Sequence, residues 1–535
     1  MRHQREQQSG NGESVGSVAG RASVFGVSVP RALLLLVIAV GLFIRLQGLR
    51  GPDGDFGTDE SRLALAAQGV LATGLPILPS GRIYTRGLIN AYLMAPSLWM
   101  FGPHDFAGRL PSALVGALLI PVVYAFGRSV AGVAGGLCTA TFAALQAHLV
   151  FWSDKAWMPS LFVLVFVGTA YLLYLGYELD RSTMQIAGAL GFVTALLVHE
   201  LAVLLPMAVL ATLAIRTARR DFAWFSGRRS VVAFLIFGFG MALFVVLGLL
   251  LRAGTIAGAA AEFEAYVAPS LTLAHLNFYY QHLARSYPLL LVAVALGIPL
   301  ALRSPKGGTL LLFVMMAVGI VTLGFLLNKS MERYGIMMLP LLAIIAAWSL
   351  VEATRLATGR WKIGHATARA LPTVVLVVVF GVSMIVDLRA AMNPEKPPAK
   401  SWLAAFQALG PAPEDLVLSD MPTVLAFYRG RVDYWARIAN YKRYSYVSGG
   451  DVRELYTGAI KVGNENDFQR VIDANPGRRL WYVGDLRRFY DPYNVVDPVL
   501  RARLLRSAEV SQISPHGWVI LRIDLGSPRA GGRQP

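Results

Sequence analysis

The chain is poor in two things a soluble enzyme of its size would carry. It has one cysteine in 535 residues and only 15% charged residues, where an ordinary soluble domain holds about 25%. The lone Cys138 can form no internal disulfide, and it lies within an apolar run as a small core residue. The sequence also lacks a P-loop, a Gly-rich dinucleotide fingerprint, Cys and His at zinc spacing, and a nucleophile elbow. Those absences weigh against a nucleotide-driven pump and against a nucleotide-sugar donor held by a Rossmann fold.

Long apolar runs take the place of charge. Hydrophobic residues make up 55% of the chain, and the mean hydropathy is +0.53. Runs of bilayer-crossing length, roughly 20 residues, are expected near 31–49, 109–128, 131–150, 157–177, 184–198, 199–216, 230–252, 287–303, 309–328, 335–352 and 370–388. The net charge of +17 then belongs to basic loops beside anionic lipid and not to nucleic acid. The run 87–102, "GLINAYLMAPSLWMFG", is short and broken by Asn90 and Pro96. Reading it as an interfacial or re-entrant helix leaves the basic loops at 216–229, 303–306 and 352–369 all cytoplasmic, as the positive-inside rule asks. Segments 50–108, 151–159, 253–286, 328–333 and everything after about 389 then lie on the opposite, outer side.

The expected architecture is an α-helical polytopic membrane protein of about 11 transmembrane helices with a C-terminal soluble α/β domain. A disordered cytoplasmic tail covers 1–28, the membrane module 29–389 and a Pro/Lys linker 390–400. The outer domain covers 401–528 and a short tail 529–535. Its strand-like runs are 415–420, 479–485 and 517–525. The run from Ala32 is too long for a cleaved signal.

Four carboxylates follow the first span, in "GPDGDFGTDESR": Asp53, Asp55, Asp59 and Glu60. Thr58 reads as the N-cap of a helix that ends at Gly74, with Leu63, Ala66, Ala67, Val70 and Leu71 on its apolar face. Asp59 and Glu60 fall in its first turn, where the helix dipole favours their ionised forms. Ionised carboxylates there can serve as general bases or cation ligands, or as plain caps. The context is cationic: Arg82, Arg86, Lys155 beside Asp154, Lys329 and Arg333 fall on the same side, with Tyr334 next in line. Arg and Lys on that side want an anionic partner, and the phosphate of a lipid carrier suits them, with snorkelling to headgroups as the alternative. His199 and Glu200 interrupt an apolar stretch, where ionisable residues face a cavity or an outer-side loop, and a hairpin between two short spans would put them at the outer mouth. Tyr279 and His282 lie in an aromatic run suited to stacking on sugar or to the membrane interface.

In this order the pattern resembles the polyprenyl-phosphate-dependent glycosyltransferases of the GT-C fold, the group containing protein O-mannosyltransferases and the lipid A aminoarabinose transferase. The segments that carry the resemblance are "DESRLALAAQGVLATGLPILP", "YTRGLINAYLMAPSLWMFGPHDFAGRLPSAL", "GRSVAGVAGGL", "HELAVLLP" and "ERYGIMMLPLL". It implies that Asp59 is the catalytic carboxylate, with Glu60 beside it. Arg86 stands where the aminoarabinose transferases carry a phosphate-contacting lysine, and Arg333–Tyr334 match a basic–aromatic pair near that phosphate. The family often has a second acid near the start of the next outer turn, but here Pro159 stands there and Asp154 comes earlier. A divalent cation, Mg or Mn, on Asp59 and Glu60 is therefore left open.

The implied activity is transfer of a sugar from a polyprenyl-phosphate donor to a glycan, lipid or protein acceptor, with inversion at C1, in a multi-pass inner (plasma) membrane protein. Two rivals are weighed. A lipid-pyrophosphate-dependent polysaccharide ligase or polymerase would use similar cations without needing Asp59. A lipid-linked-sugar transporter would place charges along a central path and show inverted repeats, neither of which the sequence carries.

Overall fold

The computed structural model describes residues 23–24, 27–49, 55–222, 227–247, 273–303, 309–327, 330–361, 365–392, 401–438, 444–490, 495–514 and 517–526. Asp53, Lys329, residues 253–272, and most of the expected tails and linker lie outside the described residues.

The membrane module is built from α1 (Val29–Gly48), α2 (Thr58–Thr73), α3 (Leu88–Phe101), α4 (Asp105–Leu145), α5 (Ala147–Ser153), α6 (Pro159–Tyr177), α7 (Ser182–Val198), α8 (Leu204–Ala218), α9 (Arg228–Leu247), α10 (Ala274–Ser286), α11 (Pro288–Arg303), α12 (Leu310–Val321), α13 (Met338–Arg360) and α14 (His365–Met392). Among the described residues seven helices are long and apolar enough to cross a bilayer. The bent pair α10–α11 makes an eighth, and α3, α7 and Leu310–Leu326 are shorter apolar helices. The protein is a multi-pass membrane protein. Each expected apolar run coincides with one of these helices or with one arm of α4.

Helix α4 is two arms joined at Gly132, whose φ of 74° suits glycine alone. The return arm packs closely: a Cβ on Gly136 would sit 2.9 Å from the Tyr124 carbonyl oxygen. Aliphatic and aromatic side chains from α4, α6, α7, α8, α12 and α13 form one continuous buried core, against which Cys138 packs half-buried. Pro159 opens α6, where its missing N–H costs nothing.

A charged group is sunk into this apolar frame. Arg45 is fully buried near the end of α1. Its guanidinium donates to the carbonyls of Gly41 (2.9 Å), Ala144 (3.0 Å) and Ala143 (2.9 Å) and to Ser153 Oγ (3.1 Å). It therefore ties α1 to the end of α4 and to α5. Asp154 closes α5, lies against Gly48 and interacts electrostatically with Arg45.

The C-terminal region forms an eight-stranded mixed sheet. Its strands are β1 (Leu416–Ser419), β2 (Tyr434–Ala436), β3 (Ser445–Ser448), β4 (Asp451–Glu454), β5 (Ile460–Val462), β6 (Arg479–Asp485), β7 (Val510–Ser514) and β8 (Trp518–Asp524), in the order β3-β4-β5-β2-β1-β6-β8-β7. The centre, β5-β2-β1-β6, is parallel, and both flanks are antiparallel. Strands β1, β6 and β8 read as near-continuous apolar runs because both faces are covered. The sequence pattern shows these three strands and misses the other five, which are short, polar or both.

The sheet domain sits on the loop that follows α1. Phe56, Leu63 and Tyr84 share a buried core with Trp402, Phe427 and Trp481. Polar contacts fix the docking. Asp55 accepts from Ser401 Oγ (2.7 Å) and Leu403 N (3.1 Å), Ser61 Oγ donates to Thr423 Oγ1 (3.0 Å), and Ser80 Oγ donates to the Leu455 carbonyl (2.7 Å). Tyr428 accepts from Phe56 N at 2.8 Å and donates to Asp105.

Candidate active site

The site is assembled around the first turn of α2. The expected N-cap, Thr58, is instead the first helical residue, and extended Gly57 is the cap. The reason is Glu60, whose Oε2 takes the Gly57 N–H at 3.0 Å, one of the four donors that a helix start leaves open. Gly74 ends the helix in the left-handed conformation, as read from the sequence. Leu63, Ala66 and Ala67 are buried as expected, while Leu71 turns outward and is exposed.

The two neighbouring acids have separate surroundings. Glu60 is buried, and both its oxygens are committed. Oε1 accepts from Arg109 Nε (3.0 Å) and Ala156 N (2.9 Å), and Oε2 from Arg109 Nη2 (3.3 Å) and Gly57 N. Arg109 is itself 3% exposed. Asp59 is 40% exposed and faces two guanidiniums: Oδ1 lies 3.2 Å from Arg62 and Oδ2 3.0 Å from Arg333. Glu60 locks the helix start to α4 and to the turn after α5, while Asp59 stays partly exposed between Arg62 and Arg333.

A chain of polar and aromatic groups runs on from Asp59. Arg333 lies over the Tyr334 ring (5.6 Å), Tyr334 meets His199 edge to face (6.3 Å), and the His199 ring stacks beside Phe162 (4.9 Å). Glu200 Oε2 is 3.7 Å from His199 Nδ1, and its Oε1 is 2.7 Å from Arg86. His199 is extended, and Glu200 begins a single 3-10 turn between α7 and α8. The break expected from the sequence is therefore present, and it delivers both side chains to the same rim. Burial opposes the charge on Arg86, but Glu200 outweighs it and holds the guanidinium pKa above its ordinary value. Burial pushes the neighbouring Tyr84 phenol well up.

The remaining candidates sit at the edges. The Tyr279 hydroxyl donates to the Met331 carbonyl (3.1 Å) and accepts from Met331 N (3.2 Å), so it braces the turn that carries Arg333. The His282 ring meets His148 at 4.6 Å, and both approach Glu332, His148 at 3.6 Å and His282 at 4.0 Å. Arg82 stacks on Tyr446 of the sheet domain (4.4 Å), and Lys155 lies over Phe151 (5.1 Å). Asp154 points toward the end of α1 and Arg45, not toward Asp59.

Sequence reasoning missed Arg62, Arg109, His148 and Arg488. Arg62 and Arg109 sit in segments already in view, but only folding shows which carboxylate each one meets. Among the described residues no group of three or more His, Cys, Asp and Glu is placed to hold a metal ion. Glu60 has its oxygens occupied by protein donors, so the Asp59–Glu60 pair does not fit a shared cation.

The fold is of the GT-C type, an apolar helical module packed against a sheet domain. Residues 85–249 match the family described as dolichyl-phosphate-mannose-protein mannosyltransferase. The whole fold is similar to ArnT from Cupriavidus metallidurans. The apo structure of that protein gives a TM-score of 0.65 at 15% identity, over 94% of this chain and 100% of that one. Its complex with undecaprenyl phosphate gives 0.62 at 16% identity, over 93% and 99%. The Archaeoglobus fulgidus oligosaccharyltransferase gives 0.54 at 12% identity, over 91% and 74%. No curated protein matches the chain closely enough to count as a relative.

Proposed function

We propose that the chain is an integral membrane glycosyltransferase that moves a sugar from a polyprenyl-phosphate donor to an acceptor, with inversion at C1. The observation that carries this reading is the Asp59–Arg333 contact at the rim of the membrane module, continued through Tyr334 and His199 to Glu200 and Arg86. It sets one partly exposed carboxylate beside two guanidinium groups, those of Arg62 and Arg333. The ArnT structure that holds undecaprenyl phosphate and the match of 85–249 to a dolichyl-phosphate-mannose family support the same donor class.

The chemistry follows from the residues. The acceptor oxygen or nitrogen attacks C1, the bond from C1 to the phosphate oxygen breaks, and Asp59 takes the acceptor's proton. Attack on the face opposite the leaving group inverts the anomeric centre, as in inverting glycosidases. The departing lipid phosphate gains charge, and Arg333 and Arg86 stabilise it. Lys329 is proposed for the same role from its place in the sequence. Before donor binding, Arg333 is engaged by Asp59. A donor phosphate that claims Arg333 leaves Asp59 freer to act as a base, so donor binding readies the site. Glu60 is a positioning residue, not a second base. We place the site and the sheet domain on the extracytoplasmic side of an inner or plasma membrane, with the N-terminus cytoplasmic.

The test is mass spectrometry of cell-envelope glycans, glycolipids and glycoproteins from wild type, a deletion strain and an Asp59→Asn strain. The expected result is one sugar modification lost in the deletion and not restored by Asp59→Asn. Full restoration by a well-folded Asp59→Asn protein would refute the assigned base.

A further inference from the structure

A cleft of ≈ 280 Å³ lies between the first turn of α2 and the sheet domain. Its walls include Thr58 and Arg62 from α2 and Asp420, Trp435, Tyr444 and Arg488 from the domain. None of the domain residues has a part in the chemistry above. The volume sits at the small end of ligand sites, near 300 Å³, which suits one ring and not an extended chain.

The cleft is built for a polyhydroxylated ligand. Asp420 is 2% exposed. Its Oδ1 takes the Asp485 N–H at 3.2 Å, while its Oδ2 has no hydrogen-bond partner among the described residues. A buried carboxyl oxygen without a donor is costly, and a ligand hydroxyl would satisfy it. Arg488 donates to the Asp420 carbonyl (3.3 Å) and to Thr58 Oγ1 (3.4 Å), which spans the cleft from the domain to the residue beside Asp59. Arg62 reaches Asp59 with its guanidinium, which also lies over Tyr456 (4.4 Å) and Tyr444 (5.1 Å). Carboxyl, guanidinium and aromatic surface together match the hydroxyls and the C–H faces of a sugar ring. Burial, against the pull of Arg488, pushes Asp420 up to about 7, so the group can donate as well as accept near neutral pH.

We propose that this cleft is a saccharide subsite that seats a sugar ring of the acceptor. The assignment to the acceptor rests on the transferase reading above. The donor phosphate needs Arg333, which pairs with Asp59 Oδ2, and Arg86, which pairs with Glu200, while the cleft meets Asp59 through Arg62, on its Oδ1, and through the adjacent Thr58. In an inverting displacement the nucleophile arrives opposite the leaving phosphate, and an acceptor glycan held in the cleft does so.

The test is binding without turnover. Saturation-transfer NMR on the full chain in lipid nanodiscs would use methyl glycosides of common hexoses, pentoses and N-acetylhexosamines as probes. At least one should bind the wild type and bind Asp420→Asn and Arg488→Gln about tenfold more weakly, the loss of one charge-assisted hydrogen bond. Thermal unfolding confirms that each variant is folded. Binding that persists under saturating polyprenyl-phosphate sugar supports an acceptor subsite. Displacement by that donor makes the cleft the donor's sugar pocket and overturns the acceptor assignment. No binding by any glycoside, or equal binding by both folded variants, overturns the subsite altogether. If these results appear while Asp59→Asn still abolishes transfer, the transferase reading stands. Normal transfer by Asp59→Asn sinks that reading whatever the cleft binds.

Discussion

Replacing Glu60 by Gln separates the two acids that the sequence sets side by side. Glu60 accepts four hydrogen bonds, two of them from Arg109, and both partners are buried. Gln keeps the shape but not the charge, and its amide nitrogen must face a donor. The buried Arg109 guanidinium loses its ion pair with Glu60 and keeps only the weaker pull of Asp105, and breaking a buried pair in this way costs about 3–5 kcal/mol. Asp59→Asn is the control. Asp59 is 40% exposed, and a solvent-exposed pair contributes roughly 0–1 kcal/mol. Purified full-length variants are compared by thermal unfolding in detergent and by sugar transfer below both midpoints. Glu60→Gln should lose several degrees in Tm, and the fraction still folded should keep a pH–rate profile like that of the wild type. Asp59→Asn should unfold like the wild type and transfer almost nothing. Unchanged stability with lost transfer in Glu60→Gln would refute this division of labour.

Other outcomes follow from the same geometry. Arg333→Ala should raise the donor KM and lower kcat, and Arg333→Lys should recover only part of the loss, since a lysine cannot present two parallel donors. Arg45→Met should lower Tm or yield without altering donor affinity, because it leaves three backbone carbonyls without their buried donor. Asp420 sets a pH dependence. Its folded pKa of about 7 lies above the ordinary aspartate value of 3.8, so folding takes up a proton between those two pH values. The penalty is absent below pH 4 and complete above pH 7, where it reaches at most roughly 4 kcal/mol. Wild-type Tm should therefore fall as pH rises from 4 to 7, and Asp420→Asn should flatten that slope. Asp55→Ala should loosen the sheet domain, with faster amide exchange over Ser401–Leu403, because Asp55 holds Ser401 and Leu403.

The membrane helices were legible because the bilayer imposes a length and an apolar composition that few loops share. The break at His199–Glu200 was legible because two ionisable residues in mid-run are costly there. The start of α2 was read one residue late, since capping by Glu60 depends on Gly57 being extended, which no pattern of residue types states. Five domain strands escaped because runs of three to five residues, partly exposed, carry no clear alternation. In the candidate site, Asp59, Arg86, Glu200, His199, Arg333 and Tyr334 were in view and the structure gathers them. What the sequence could not supply is pairing. Glu60 with Arg109, Arg86 with Glu200, and His148 with His282 join residues 49, 114 and 134 positions apart, and one chain alone does not say which cation meets which acid.

The measurement that bears most directly on the account is single-turnover transfer from a polyprenyl-phosphate sugar by the purified chain in nanodiscs. Donor affinity is recorded in parallel for wild type and Asp59→Asn. Loss of the acid frees Arg333, so the variant should bind donor at least as tightly while transfer falls by about 10²–10⁴. A variant that transfers at the wild-type rate, or one that loses donor binding along with transfer, would contradict the role assigned to Asp59.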